Sequence, residues 1–305
     1  MKGKIDMDIK RLDLFCKVVE LKSFTRAAAE AGLSQPSVSE HIRLLEESLG
    51  EKLLDRLGRQ VVPTPAGQCL YPYARKMVRL REESLQAMAA FRGELGGPLS
   101  IGASTIPATY LLPRLVALFH QSCPAAKMTV RVGDSEQVCQ RVVAGDDAFG
   151  LVGGRLRDSR LAFEQVAEDR LVLVVPDSHP FSGRDAVEAS ELTSCAFIRR
   201  EPGSGTRAQV DRSLVQMGVD PEKLDVVAEL GSTEAVRQAV RAGCGVAFIS
   251  SLAVEGVDGD GVTVLKVRGM DNRRGLYLVR RKGRQLSPLA EAFVKLLQAE
   301  KNNLP

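Results

Sequence analysis

Tryptophan is absent from this chain of 305 residues, aromatic residues make up 5% of it, and there are three histidines. Its cores must therefore be packed mainly from aliphatic side chains, which an apolar content of 44% can supply. No apolar run approaches the ~18 residues that a membrane-spanning helix needs. The charged N-terminal stretch has no apolar segment of the secretory kind. A soluble, cytoplasmic protein with no membrane partner is expected. The six cysteines, Cys16, Cys69, Cys123, Cys139, Cys195 and Cys244, form no C-x-x-C pair, and His41, His120 and His179 cluster with none of them. That spacing argues against a structural zinc site and a disulfide framework. Free, buried thiols are expected, with no metal and no cofactor.

Enzyme signatures are missing too. There is no G-x-S-x-G elbow, no phosphate-binding G-x-x-x-x-G-K-[ST] loop and no H-E-x-x-H. The turn Gly102-Ala103-Ser104-Thr105-Ile106-Pro107 is not a dinucleotide fingerprint. No catalytic residue is assigned, and the chain is not expected to be an enzyme. Charge of one sign is also scarce. The net charge is +4, and residues 1–64 hold 11 Lys and Arg against 10 Asp and Glu. Any attraction to a polyanion must come from local placement.

The first 64 residues carry a dense helical pattern. Leu12, Phe15 and Val19 recur at helical spacing. Ser23 is placed to cap a short helix with Ala27, Ala28 and Ala31 on its inner face, ended by Gly32. A third helix is predicted over 35–49, burying Val38, Ile42, Leu45 and Leu49, with Ser34 as its cap and Pro36 in its first turn. Residues 53–56 and 60–63 then read as a small hairpin. Two helices joined by a tight turn form a helix-turn-helix, in which the start of the second helix meets base edges in the major groove. Gln35 suits adenine, and Ser37 and Ser39 suit bases or phosphates. Pro36 and Thr25 lie at the two helix starts, and Arg43, one turn on, suits a phosphate. Arg56 and Arg59 flank the hairpin turn, where they can reach the minor groove or the backbone. Ser34 by itself reads as a cap rather than a base contact.

Thr64 and Pro65 open a helix that is expected to run to about Phe91 as one element. Leu70, Tyr73, Met77, Leu80, Ser84, Ala87 and Phe91 form a heptad seam along it. A solitary helix would expose that stripe, so it predicts pairing with a second copy, unless the chain's own C-terminal part covers it. Gly93, Gly96, Gly97 and Pro98 read as a linker.

The stretch FCKVVELKSFTRAAAEAGLSQPSVSEHIRLLEESLGEKLLDRLGRQVVPTPAG resembles the N-terminal domain of the LysR-type regulators. The matching features are F-T-R-A-A, L-S-Q-P-S-V-S, I-R-x-L-E, L-G-x-x-L and T-P-A-G, all in register. Ala31 stands where that family usually has Leu, and Leu54 where it has Phe. The resemblance implies a winged helix-turn-helix over 7–64, a dimerisation helix over 65–92 and a periplasmic-binding-protein-like effector domain over 93–305. That domain would have a first lobe of about 99–164 plus 269–305 and a second of about 165–268. Homodimers assembling into homotetramers on double-stranded DNA are implied, and RNA polymerase is among the partners the resemblance admits.

From Leu99 onward the texture alternates strand and helix, which means α/β. Three junctions share one chemistry: Ser104-Thr105, Ser204-Gly205-Thr206 and Ser232-Thr233 each put small hydroxyls where a helix begins. Helix N-termini offer free N–H groups and a positive dipole end. Ligands of open α/β sheets sit beyond the carboxyl ends of the strands. One such residue is an ordinary cap. Three junctions converging on an interlobe cleft point to a small, anionic effector. Of Arg199 and Arg200, neighbours on a strand, at most one faces inward. The segments E-P-G-S-G-T-R and G-S-T-E-A-V-R-Q-A-V-R-A-G are similar to stretches of LysR-type regulators of sulfur, selenium and carbon-fixation metabolism, those associated with selenium most of all. The rival class is a solute-binding protein without DNA function, which the C-terminal part alone would allow.

Overall fold

The computed structural model describes residues 7–57, 60–92, 94–255 and 261–304, without the side chains of Arg56 and Leu57. Arg59, expected near DNA, and Gly93 of the expected linker lie outside the described residues. The chain divides into two compact units, Met1–Phe91 and Arg92–Pro305.

The first unit consists of α1 (Ile9–Leu21), α2 (Phe24–Ala31), α3 (Gln35–Leu49), the hairpin β1 (Leu54–Leu57) with β2 (Gln60–Pro63), and α4 (Pro65–Phe91). Ser23 caps α2 by accepting the Arg26 N–H. Gly32 ends it at φ 64, and the Leu33 N–H returns to the Ala28 carbonyl at 2.9 Å. This left-handed stop sets the tight turn into α3. Lys22 also sits at positive φ, 52, and its carbonyl accepts the Val61 N–H, which ties the end of α1 to the hairpin. Leu12, Phe15, Val18, Ala27, Val38, Ile42 and Leu45 fill the core. Leu49 and Ala31, expected inside, are only half-buried, because each ends its helix at the rim of that core. The T-P-A-G turn has a steric reason. The Thr64 hydroxyl accepts the Gly67 N–H and donates to the Lys52 carbonyl, and a Cβ on Gly67 would lie 2.0 Å from the Leu53 oxygen.

One face of α4 packs on α1 through fully buried Ala74 and through Tyr71, whose ring meets Phe15 edge-on at 6.4 Å. Burial, and then its hydrogen bond to Glu20, push the Tyr71 hydroxyl pKa up. The seam lies on another face. Leu70 and Met77 are half-buried, while Tyr73, Leu80 and Phe91 are open to solvent, Phe91 at 86%. No helix of the described residues is long and apolar enough to cross a membrane.

The second unit runs β3 (Gly97–Ser104), a π-helical turn (Pro107–Leu111), α5 (Leu112–Ser122), β4 (Ala126–Gly133), α6 (Ser135–Ala144), β5 (Gly150–Val152) and β6 (Leu161–Pro176). It continues with β7 (Ala186–Val187), β8 (Ala196–Arg200), α7 (Gly205–Gln216), β9 (Asp225–Leu230) and α8 (Thr233–Arg241). It ends with β10 (Ala247–Ser250), β11 (Val262–Val267), β12 (Arg273–Arg281) and α9 (Pro288–Ala299). The sheet order is β4-β3-β5-β12-β6-β11-β7, with β10 also on β6 and β8 paired to β9. Two lobes result, joined by antiparallel β6 and β12. The N-terminal part of the 16-residue β6, from Leu161 to Arg170, pairs with β12 and leaves out Val166 at a bulge, and its C-terminal part pairs with β10 and β11. The first lobe's core centres on Phe293, which lies 5.1 Å from Phe119 and 5.6 Å from Phe149. Such ring pairs add about 0.5–1.5 kcal/mol to burial. Leu173, Leu192, Phe197, Leu214 and Phe248 form the second lobe's core.

One expectation changes here, and two local features go beyond what the sequence showed. Gly97 and Pro98, read as linker, already belong to β3 and pair with Ala126 and Lys127. The turn Pro107–Leu111 that leads into α5 is π-helical. Residues 161–170 read as polar, with Glu164, Gln165, Glu168, Asp169 and Arg170, yet they form a strand because β12 supplies their backbone partners. The cysteines are free as expected, but only four of them are buried; Cys69 and Cys244 are exposed.

Candidate recognition helix and interlobe cleft

At the start of α3 the Ser34 hydroxyl accepts the Ser37 N–H, which makes Ser34 the cap. Gln35 donates its amide to the Ser39 hydroxyl at 2.8 Å, so the two expected readers, one turn apart, hold each other on one face of the helix. Pro36 and Thr25 are exposed, and Ser37 is half-buried. Arg43 is not a bare cation. Its guanidinium bonds Glu40 at 2.6 and 2.8 Å and also Glu47. The hydrogen bond to Glu40 is the main cause of its raised pKa and of the lowered pKa of Glu40.

The second unit has a small hole between its lobes. Ser104, Thr105, Asp134, Ser135, Gly153 and Arg274 line it from the first lobe, and Arg200, Ser204, Gly205 and Thr206 from the second. Each arginine is held in the same way. Arg274 gives Nε and Nη2 to the buried Asp169 carboxylate at 2.8 and 2.7 Å, and Nη1 to the Thr206 hydroxyl in the other lobe at 2.9 Å. Arg200 gives Nε and Nη2 to Glu201 at 2.6 and 2.7 Å, and Nη1 to Thr105 in the first lobe at 3.4 Å and to Thr233 at 3.0 Å. Two reciprocal clasps therefore tie the lobes. Burial pulls the Arg274 pKa below its ordinary value, Asp169 opposes that shift, and the like charge of Arg200 adds to it.

Four hydroxyls around the hole each accept one N–H. Ser104 accepts from Gly153 N, Thr105 from Arg200, Ser204 from Arg207 N and Thr206 from Arg274. None of the four donates a hydrogen bond among the described residues. A hydroxyl has one proton to give, and none of these four has an acceptor for it among the described residues. Arg199 and Arg200 face opposite ways, as an alternating strand requires. Arg199 turns to Asp211 and Glu222 on the far side. Ser232 caps α8, and Thr233 supports Arg200 from behind; neither lines the hole.

Residues 9–68 match the family described as bacterial regulatory helix-turn-helix protein, lysR family, and residues 92–302 match the LysR substrate binding domain. The chain belongs to the LysR family of bacterial transcriptional regulators. It is 33% identical over 296 residues to the RuBisCO operon transcriptional regulator of Allochromatium vinosum, covering 96% of each chain. It is 32% identical over 289 residues to the HTH-type transcriptional regulator CysL of Bacillus subtilis (strain 168), covering 94% of this chain and 96% of that one. The CcmR regulatory domain of Synechocystis PCC6803, solved in complex with 2-PG, superposes with a TM-score of 0.63 at 29% identity, covering 68% of this chain and 99% of that one.

In this LysR-type regulator, reading the sequence missed Arg274, Asp169 and Glu201, the residues that hold the clasps. It also passed over Asp134-Ser135, a fourth strand-to-helix junction with the same signature of small polar residues after a strand. That signal was present in the sequence. The Arg274–Asp169 pair was not visible there, since 105 positions separate its members and only the β6–β12 register sets them opposite each other.

Proposed function

We propose that this LysR-type regulator is a cytoplasmic homotetramer, built from homodimers paired along α4. Its hold on double-stranded DNA is modulated by a small anionic metabolite taken up between the lobes of the effector domain. On this reading it needs no metal or organic cofactor, catalyses no reaction and answers to RNA polymerase at the promoter. Thr25, Ser34, Gln35, Pro36, Ser37, Ser39, Arg43, Arg56 and Arg59 serve the DNA; Ser104, Thr105, Ser204 and Thr206 contact the effector, with Ser232 and Thr233 behind them. The single observation that carries the effector reading is the set of four uncommitted hydroxyl protons around one buried hole. A ligand that meets them must be rich in acceptors, as an anion is. The CcmR regulatory domain, solved in complex with 2-PG, supports a small-molecule effector for a domain of this kind.

The test is genome-wide footprinting of the protein, followed by gel shifts on the recovered sites with a panel of small anions. An anion that changes the footprint of the full-length protein at micromolar to millimolar concentration bears out the reading. If no anion in the panel alters the footprint while neutral metabolites do, the anionic assignment falls.

A further inference from the structure

Four of the five residues from Arg280 to Arg284 are cations, and none of them has a part in reading DNA or in the interlobe cleft. Residues 280–305 hold six Lys and Arg against two Glu, an excess of +4 that equals the net charge of the whole chain. The fold gathers this charge instead of spreading it. β12 ends at Arg281, and Gly283 at φ 70 turns the chain, with the Arg284 N–H returning to the Arg281 carbonyl at 3.4 Å. Beside that turn lies a groove of about 500 Å³. Arg280, Arg281, Lys282, Arg284 and, from α9, Lys295 line it, against one carboxylate, Glu291. The groove is at the far end of β12 from Arg274, about 23 Å along the strand at ~3.3 Å per residue.

Little within the protein neutralises these cations. Lys282 and Lys295 are exposed, and their side chains join no ion pair or hydrogen bond among the described residues. Lys282 acts at a distance on Asp158, a carboxylate already held by Arg160 at 2.7 Å. Arg281 gives Nη1 to the Val143 carbonyl at 3.0 Å and pairs with no carboxylate among the described residues. Val143 stands in the last turn of α6, so a helix dipole positions this guanidinium and leaves its charge unpaired. Arg280, by contrast, bonds Glu164 at 3.3 Å. Glu291 stands in the first turn of α9, where the helix dipole offsets its charge. Like charges held together repel, and a polyanion among them would relieve that cost. The rest of the wall is carbon and amide. Ala162, Leu286 and Val294 line it, with Gln298, whose amide donates to Glu164 at 2.9 Å and leaves its carbonyl to accept.

We infer that this groove binds an organic polyphosphate. A chain of phosphates lies against Arg281, Lys282 and Lys295, and a carbon-rich body such as a nucleoside covers Ala162, Leu286 and Val294. Three cations without carboxylate partners suit several linked negative charges better than a single one. The volume falls within the ~300–1,000 Å³ of small-molecule pockets. Inorganic phosphate or sulfate would leave the carbon wall uncovered, and a DNA backbone offers phosphates but no apolar body for it. The site is separate from the interlobe hole, so the inference stands or falls independently of the effector reading.

The test is calorimetry on the full-length protein, without divalent metal, against adenosine triphosphate, inorganic tripolyphosphate and adenosine. Wild type should bind adenosine triphosphate about ten times more tightly than tripolyphosphate, and adenosine without measurable heat. Lys282→Gln combined with Lys295→Gln should weaken adenosine triphosphate binding by about thirtyfold. Its melting curve should match wild type, because both side chains are exposed. Lys223→Gln, at an exposed lysine of the second lobe, should change neither. Equal affinity for adenosine triphosphate and tripolyphosphate removes the organic body and overturns the inference. So does a failure of both polyphosphates to bind, or binding that the double variant retains. If wild type binds neither and the double variant lowers the salt slope of DNA binding, the groove holds DNA backbone instead, and the inference is overturned.

Discussion

Arg274 and Thr206 meet across the waist of the effector domain, Nη1 to Oγ1 at 2.9 Å, with both residues more than nine-tenths buried. Arg274 stands on one of the two strands that join the lobes, and Thr206 lies in the first turn of α7 in the second lobe. The contact is therefore placed to change whenever the lobes move. Thr206 is not the helix cap, because Ser204 fills that role. Thr206→Val keeps the shape and the cap but removes the acceptor of a buried N–H, at a cost of about 1–3 kcal/mol. Effector-free DNA binding should persist, and the effector-dependent change in footprint should be lost. Thr105→Val, whose bond to Arg200 is longer, should have the same functional effect with a smaller loss of stability. Footprinting with melting curves checks both; two variants that respond to effector with wild-type affinity would remove these hydroxyls from the site.

The approach of Gly205 to Gly153 predicts a graded response to added bulk. Gly205→Ala puts a Cβ 2.7 Å from the Gly153 carbonyl carbon, so the lobes must part for it to fit. Effector affinity should drop by about tenfold, or roughly 1.4 kcal/mol. Alanine is the better helix former, so α7 itself should not suffer. Calorimetry against the identified effector checks this; unchanged affinity would mean that the lobes bind effector in a more open arrangement.

On α3, base reading and backbone attraction should separate. Gln35→Ala is expected to weaken specific binding by about 1–3 kcal/mol and to leave non-specific binding nearly unchanged. Arg43→Ala should weaken binding to every sequence and reduce the salt slope by about one. Because Glu40 and Glu47 hold Arg43, Glu47→Gln should act in the opposite direction and tighten non-specific binding. Competition gel shifts over a salt series measure all three. An unchanged site preference in Gln35→Ala would show that α3 is docked differently.

The open seam of α4 predicts assembly. Leu80 is 62% exposed and Phe91 86% exposed in the single chain, a cost to solubility unless a second copy covers them. Leu80→Asp would bury an unpaired charge in that interface. It should shift the protein toward monomer and abolish cooperative binding to paired half-sites. Light scattering that shows the wild-type mass would exclude this face of α4.

The sequence by itself determined what depends on neighbours along the chain. The helix-turn-helix was legible because caps, turns and helical spacing act within a few residues: Ser23, Gly32, Ser34 and Gly50 all stand where their local chemistry places them. The start of α4 at Pro65 and its length were legible for the same reason, as were the small hydroxyls at Ser104-Thr105 and Ser204-Thr206; that the helix passes through Pro72, an interior breaker the reading overlooked, was not. Tertiary structure decided what depends on distant partners. Residues 161–170 look polar in sequence, and only the pairing with β12 makes them a strand. That same register sets Asp169 against Arg274 and carries the guanidinium into the cleft. The three hydroxyl junctions look alike in sequence, yet two of them line the hole and Ser232-Thr233 stands behind Arg200. Local hydrogen-bonding preferences are short-ranged and so can be read residue by residue. The ion pairs that tie the lobes depend on strand register and lobe closure, which no stretch of sequence contains.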